Sequence, residues 1–240
     1  MRVSKIWITL IIATALFLIA NAPAHILKPY LKNSLNFPFT LSGTIWQGAI
    51  SSQYFHKASW QIEPIYLLLA KVSAQITAEI DSDSQISAHA EISPSNKLEL
   101  NNINGILTTQ YLQQFSPTTP FLFNATIHIN QTKAKWDGEF PPKLPSKAQG
   151  SLLVEKVNLL GENIGDYQFS FSYLEQSLEG NITSTNASSV DAAVKLNLSP
   201  QNLLTLTGEI LPKTKDLQSI FKELNINLKP NITYQLPLSQ

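Results

Sequence analysis

From residue 72 onward apolar and polar side chains alternate with a period of two, and a chain written that way buries one face only as β-strand. Val72, Ala74, Ile76, Ala78 and Ile80 share one face, while Ser73, Gln75, Thr77 and Glu79 take the other. Asp81-Ser82-Asp83-Ser84 carries turn chemistry, because short Asp and Ser side chains bond their own backbone. Ile86, Ala88, Ala90 and Ile92 then resume the alternation, which predicts a hairpin with one apolar face. Phe121, Phe123, Ala125, Ile127 and Ile129 form another such strand; so do Tyr167, Phe169, Phe171 and Tyr173, and then Val190, Val194, Leu196 and Leu198. Two short helices break the pattern, at 108–115 and 213–224, the second with Leu217, Ile220, Phe221 and Leu224 on one stripe. The expected fold class is mainly β, an antiparallel sheet with a few short helices.

The amino terminus obeys a different rule. No Asp, Glu, Lys or Arg occurs between Lys5 and Lys28. Residues 6–24 read IWITLIIATALFLIANAPA. At ~1.5 Å rise per residue such a helix reaches about 28 Å, close to a bilayer core of ~30 Å. A buried soluble helix would need polar residues at helical spacing along one side, and they are missing. A cleavable signal peptide is the alternative: Arg2 and Lys5 make its charged start, and Ala22-Pro23-Ala24 a small-residue site before His25. The apolar run from Ile6 to Ile19 stands at the upper end of the usual ~7–15 residues of such peptides, which favours a retained transmembrane helix. Either reading exports the rest of the chain. An amphipathic link at 25–36 places Ile26, Leu27, Tyr30, Leu31 and Leu35 at helical spacing, and Pro38 ends it.

These patterns divide the chain into three segments: an anchor at 1–27, a first β half at 28–118 and a second at 119–240. The two halves look similar. Each contains a helix that comes after a Gly and an aliphatic pair, at Gly105-Ile106-Leu107 and at Gly208-Glu209-Ile210-Leu211. Each is expected to open on a Gly-started strand, at Gly43 and at Gly150. The Pro-rich stretch 140–145 reads as a stiff connection between them.

Composition narrows the function. Charged residues make up 14% of the 240, so the polar surface is largely Ser, Thr, Asn and Gln. Lys and Arg balance Asp and Glu at 17 each, and setting aside Arg2 and Lys5 leaves a slight acidic excess. That removes a basic field for nucleic acid. With no cysteine, disulfides, thiolate metal sites and cysteine nucleophiles are excluded. The four histidines are scattered; His89 shares a polar strand face with Ser87 and Glu91, and His128 does so with Thr126 and Asn130. No HExxH, GxSxG, Walker or dinucleotide-binding pattern occurs. Asp81-Ser82-Asp83 could open a calcium loop, but Ile86 and Ile92 stand where that template needs Gly and Glu. The chain is therefore expected to be no enzyme, with no catalytic or metal residues and no cofactor.

The tryptophans carry more information. Gly43-Thr44-Ile45-Trp46-Gln47-Gly48-Ala49 begins the β region, and Trp60-Gln61-Ile62-Glu63-Pro64 comes shortly after. Gly43 and Gly48 permit tight turns or close backbone approach beside a large aromatic. Trp46 and Trp60 are expected to be core anchors rather than ligand contacts. Pro64 stops its strand, and Ile65-Tyr66-Leu67-Leu68-Leu69 then forms a compact apolar patch.

These blocks, with Pro23-Ala24 at the exit of the apolar segment, resemble the type II secretion system protein N family, also called general secretion pathway protein N. Gln149-Gly150-Ser151, Ile164-Gly165-Asp166-Tyr167, Leu206-Thr207-Gly208 and the closing helix and strand agree in order, so the likeness covers nearly the whole chain. Ile45 replaces a more usual leucine, and the charge content is low for the family. The resemblance implies a bacterial inner-membrane protein crossing once, its C-terminal domain in the periplasm. It implies a scaffold or assembly subunit of a machine that exports folded proteins across the outer membrane. Partners implied are other inner-membrane subunits and the outer-membrane secretin, besides membrane lipid at residues 6–24 and no nucleic acid. The family motif residues, Pro23, Ala24, Gly43, Thr44, Trp46, Gly48, Trp60, Pro64, Gly150, Gly165 and Gly208, are read as structural.

Two other classes remain. One is an AsmA-like lipid-handling protein, in which the apolar strand faces line a groove; it is distinguished by whether 72–80 and 121–129 pack or lie open. The other is a periplasmic hydrolase or lectin, which requires carboxylates converging with His56 or His89 in a pocket.

Overall fold

The computed structural model describes residues 7, 10–11, 13–14, 17–32, 37–113, 123–137, 145–159, 161–174, 177–185, 188–199, 203–223 and 232–237. Among the described residues thirteen strands form one sheet in which sequence order is also spatial order. They are β1 (Phe39–Gly43), β2 (Gln47–Ser52), β3 (Lys57–Ile62), β4 (Val72–Glu79), β5 (Gln85–Ile92), β6 (Lys97–Thr108) and β7 (Phe123–Asp137). β8 (Lys147–Leu159), β9 (Glu162–Leu174), β10 (Ser177–Ser184), β11 (Val190–Leu198), β12 (Leu203–Pro212) and β13 (Ile232–Pro237) complete it. Each strand pairs antiparallel with the next, so the sheet is an uninterrupted meander.

Register keeps one face apolar throughout. In the expected hairpin Val72 stands opposite Ile92, Ala74 opposite Ala90, Ile76 opposite Ala88 and Ala78 opposite Ile86. Farther along, Ile129 faces Leu152, Leu152 faces Phe169, Phe169 faces Ile182 and Ile182 faces Val194. Three long strands hold that face by changing parity. Leu98 and Leu100 give way to Ile103 and Leu107, Ile127 and Ile129 to Ala134 and Trp136, and Leu152 and Val154 to Val157 and Leu159. A strict two-residue period would have turned the second half of each set to the polar face. A bulge absorbs the extra residue each time: Asn102, Gln131 and Lys156 take φ of 51°, 47° and 54°, and the pairing register shifts beside each. Their amides and neighbours are held by side chains, with Asn104 Oδ1 accepting from Gln131 N at 2.8 Å and Asp166 Oδ1 from Lys156 N at 2.8 Å.

A meander places its turns alternately on two rims. The turns β1–β2, β3–β4 and β5–β6 share the rim where the N-terminal segment leaves, here the proximal rim. The opposite, distal rim carries the turns β2–β3 and β4–β5 and both expected helices, Thr109–Gln113 after β6 and Lys215–Glu223 after β12. Leu217 and Phe221 of the second helix are buried against Ala125, Val157, Leu159, Tyr167 and Val190, all near the distal ends of their strands. Burying a Leu and a Phe side chain contributes roughly 1.5–3 kcal/mol each. Tyr167 directs its hydroxyl at the carbonyls of Ile164 (3.0 Å) and Val190 (3.1 Å). Burial pushes that phenol up to about 12, assisted by the carboxylates of Asp191 and Asp166. Elsewhere among the described residues the apolar face is mostly half-buried.

Several expectations need correction. Gly43 ends β1 rather than opening a strand, and Gly150 is the fourth residue of β8. The Pro-rich stretch connects β7 to β8, which pair with one another, so it closes a hairpin; residues 138–144 lie outside the described set. The link at 25–36 is a 3₁₀ turn, Ala24–Leu27, continued by a short helix, Lys28–Lys32, and 33–36 are outside the described residues. Among the described residues no helix is long and apolar enough to cross a membrane; the expected span at 6–24 falls partly on residues outside that set.

Candidate functional site

The motif residues of the first third of the chain meet at the proximal rim. Gly43 and Gly48 are register partners at the ends of β1 and β2, and Thr44 to Trp46 form the turn between them. Gly43 has φ of 83°, a left-handed conformation that a side chain would strain. Thr44 stiffens the turn: its amide donates to the Gln47 carbonyl at 2.8 Å and its Oγ1 accepts from Gln47 N at 3.1 Å. Gly48 is glycine for a different reason. A Cβ there would strike the Trp60 ring, its register partner, and lie 2.8 Å from the Ser42 carbonyl oxygen.

The turn is stitched to the end of the N-terminal helix. Pro23 bridges Thr44, and Ile45 N donates to the Ala22 carbonyl at 2.9 Å. The indole N–H of Trp46 donates to the Ile19 carbonyl at 2.8 Å, taking one of the acceptors a helix C-terminus leaves free. Trp60 donates its own indole N–H to the Ile45 carbonyl at 2.9 Å, and Ile62 N donates to the Trp46 carbonyl at 2.6 Å. Ala24 fills the junction with none of its surface exposed. Trp46 and Trp60 are thus half-buried clamps that each use their N–H, not enclosed core anchors. Pro64 is the first residue of the 3₁₀ turn Pro64–Leu69 that leaves β3 at the same rim.

Gly150, Gly165 and Gly208 stand apart from this node. Gly150 makes room for Thr132 on β7, Gly165 for Ser188, and Gly208 for the backbone of Ala193 and Val194 on β11.

One side-chain cluster was not legible in the sequence. Ser73 Oγ lies 3.3 Å from Glu63 Oε2 and 3.1 Å from His89 Nε2, which is also 3.5 Å from Glu91 Oε1; Lys71 Nζ is 3.6 Å from Glu91 Oε2. Glu63 and Glu91 therefore do converge with His89, beside a serine. A nucleophile–base–acid relay needs the histidine to use two nitrogens, whereas here Nε2 faces both Ser73 and Glu91. Ser73 has a single hydroxyl proton, and donating it to Glu63 leaves none to pass to His89. Ser73 is also completely buried, so no substrate carbonyl reaches its oxygen. The cluster ties β4 to β5 and to the base of the 3₁₀ turn. His128, by contrast, faces Glu155 at 2.9 Å on another part of the sheet. Asp81–Ser84 is the β4–β5 turn, with Asp83 N donating to Asp81 Oδ1 at 2.8 Å.

Beside the node, the polar face of β2–β4 carries a shallow depression of about 300 Å³ whose lining includes Gln47, Lys57, Ser59, Gln61, Gln75 and Thr77. Its polar lining is uncharged apart from Lys57.

A family model described as type II secretion system (T2SS), protein N, matches residues 40–231. No curated protein and no solved structure matches the chain.

Proposed function

This chain belongs to the type II secretion system protein N family, and from that premise we propose that it is a membrane-tethered, non-catalytic assembly subunit of the secretion machinery. In this reading residues 6–24 are a retained inner-membrane anchor, the sheet lies in the periplasm, and its partners are neighbouring inner-membrane subunits and the secretin. The observation that carries the reading is the node joining Ile19, Ala22 and Pro23 to Thr44, Ile45 and Trp46. Such a junction transmits the orientation of a helix to a sheet, and it would lose three of its contacts if the chain were cut after Ala24. The same reading takes 28–118 and 119–240 as similar halves, supported by a short helix after every sixth strand.

Deleting the gene is expected to trap enzymes that fold in the periplasm on that side of the outer membrane, with the other subunits at normal levels. Normal secretion from the deletion strain would overturn the assignment.

A second reading, lipid handling, is favoured by the apolar face that runs from strand to strand, its enclosed cluster among the described residues lying at the distal rim. The sheet supplies its own control. A photoreactive residue replacing Ile129 would capture phospholipid, whereas one replacing Asn130, on the opposite face, would not. Equal capture at both positions, or none at either, counts against a groove.

A further inference from the structure

The 3₁₀ turn between β3 and β4 holds apolar side chains out into solvent. Ile65 is 66% exposed, Leu68 81% and Leu69 67%. The turn is not free to fold them back. Pro64 fixes its first residue, and Ala70 closes it with φ of 55°. Ala70 N donates to the Leu67 carbonyl, Lys71 N to that of Tyr66, each at 3.0 Å, and Glu63 N to Ser73 O at 2.9 Å. Below it sits the Ser73–His89–Glu63 cluster. Three large aliphatic side chains on one rigid turn leave roughly 1.5–3 kcal/mol of burial free energy each unrealised in water.

The position of the turn identifies what covers it. Ile62, just before the turn, donates to the carbonyl of Trp46, whose indole in turn grips Ile19 at the end of the N-terminal helix. The turn and the helix end therefore share one hydrogen-bonded node. That helix exposes Trp7, Leu10, Ile11, Phe17, Leu18 and Ile19, in a stretch free of charge from Ile6 to Leu27. No acidic residue lies between Glu63 and Glu79 in the sequence, and the nearest carboxylates are engaged at the base of the turn, Glu63 by Ser73 and Glu91 by Lys71.

We propose that the Pro64–Leu69 turn is a second membrane contact, with Ile65, Leu68 and Leu69 inserted at the interface of the bilayer that holds the N-terminal helix. This rests on reading that helix as a membrane anchor. A second attachment point fixes the tilt against the bilayer of that helix and of the sheet joined to it. The sheet then stands with its proximal rim against the bilayer and its helix-bearing distal rim away from it.

The chain has no cysteine, so single labels are clean. The full chain, in vesicles of phosphatidylethanolamine and phosphatidylglycerol, would carry an environment-sensitive fluorophore at Leu68→Cys or, on the distal rim, at Asp83→Cys. Doxyl-labelled lipid is expected to quench position 68 several-fold more than position 83, with blue-shifted emission at 68 alone. If the protein floats with the vesicles but position 68 is quenched no more than 83, the second contact is refuted and the anchor stands. If emission at 68 is blue-shifted without quenching, the turn is covered by protein, which also refutes it. Failure of the chain to float overturns both readings.

Discussion

Gly165→Ala is expected to destabilise the sheet by about 3 kcal/mol, an unusually large effect for adding one methyl group. Gly165 has φ of 108° and its missing Cβ position overlaps Ser188 Cα, with Ser188 Cβ at 2.8 Å. The Cα and Cβ of Ser188 keep their places in every rotamer, so no rotamer change relieves the overlap. Ser188 is itself buried and donates its hydroxyl to the Asp166 carbonyl at 2.6 Å, and Ser189 N donates to Ile164 O at 2.9 Å. Displacing that loop would pull on Val190 and Tyr167 in the enclosed cluster. Gly161 provides the comparison. Its φ is 95°, yet nothing lies within 4 Å of a Cβ there. Gly161→Ala therefore carries the conformational cost alone, about 1–2 kcal/mol. Chemical denaturation of the two variants under one condition measures the difference, and equal midpoints would refute the steric account.

Phe221→Ala should cost about 3–5 kcal/mol, through lost transfer energy and the cavity left behind. Phe221 is 4% exposed and packs with Leu217 in the helix that covers the distal ends of β8, β9 and β11. Since the rest of the apolar face is mostly half-buried, few other contacts can compensate. Lys222→Ala, one residue on and exposed, is expected to change stability by less than about 0.5 kcal/mol. Hydrogen exchange should report the loss locally: amides of Val157, Tyr167 and Val190 become faster in the Phe221 variant, while those of β4 and β5 hold their protection. Uniform acceleration across the sheet would mean that the helix stabilises the whole meander instead.

The strand pattern was readable because periodicity is local. The hairpin of Val72–Glu79 with Gln85–Ile92 and the helices after Gly105 and Gly208 need only neighbouring residues to be identified. Parity changes at Asn102, Gln131 and Lys156 are also written in the chain, as apolar positions that pass from even to odd numbers or back. They pass unnoticed when each strand is read as one uninterrupted period. The Pro-rich segment misled because proline signals a stiff connection but not which elements it joins; pairing of β7 with β8 decided that.

For the candidate site the division is sharper. By itself the sequence determined that Gly43, Gly48, Trp46, Trp60 and Pro64 belong to tight turns and large aromatics near the exit of an apolar segment, and that one face of the sheet is apolar. Tertiary structure alone decided that Trp46 grips Ile19, that Trp60 fills the space over Gly48, and that Ser73 meets His89 and Glu63. It likewise set Gly165 and Gly208 far from the node they accompany in the motif. The physical reason is that side-chain type and spacing fix local conformation, whereas a donor's partner depends on register and on which rim a turn reaches. Those are settled only when thirteen strands pair in order.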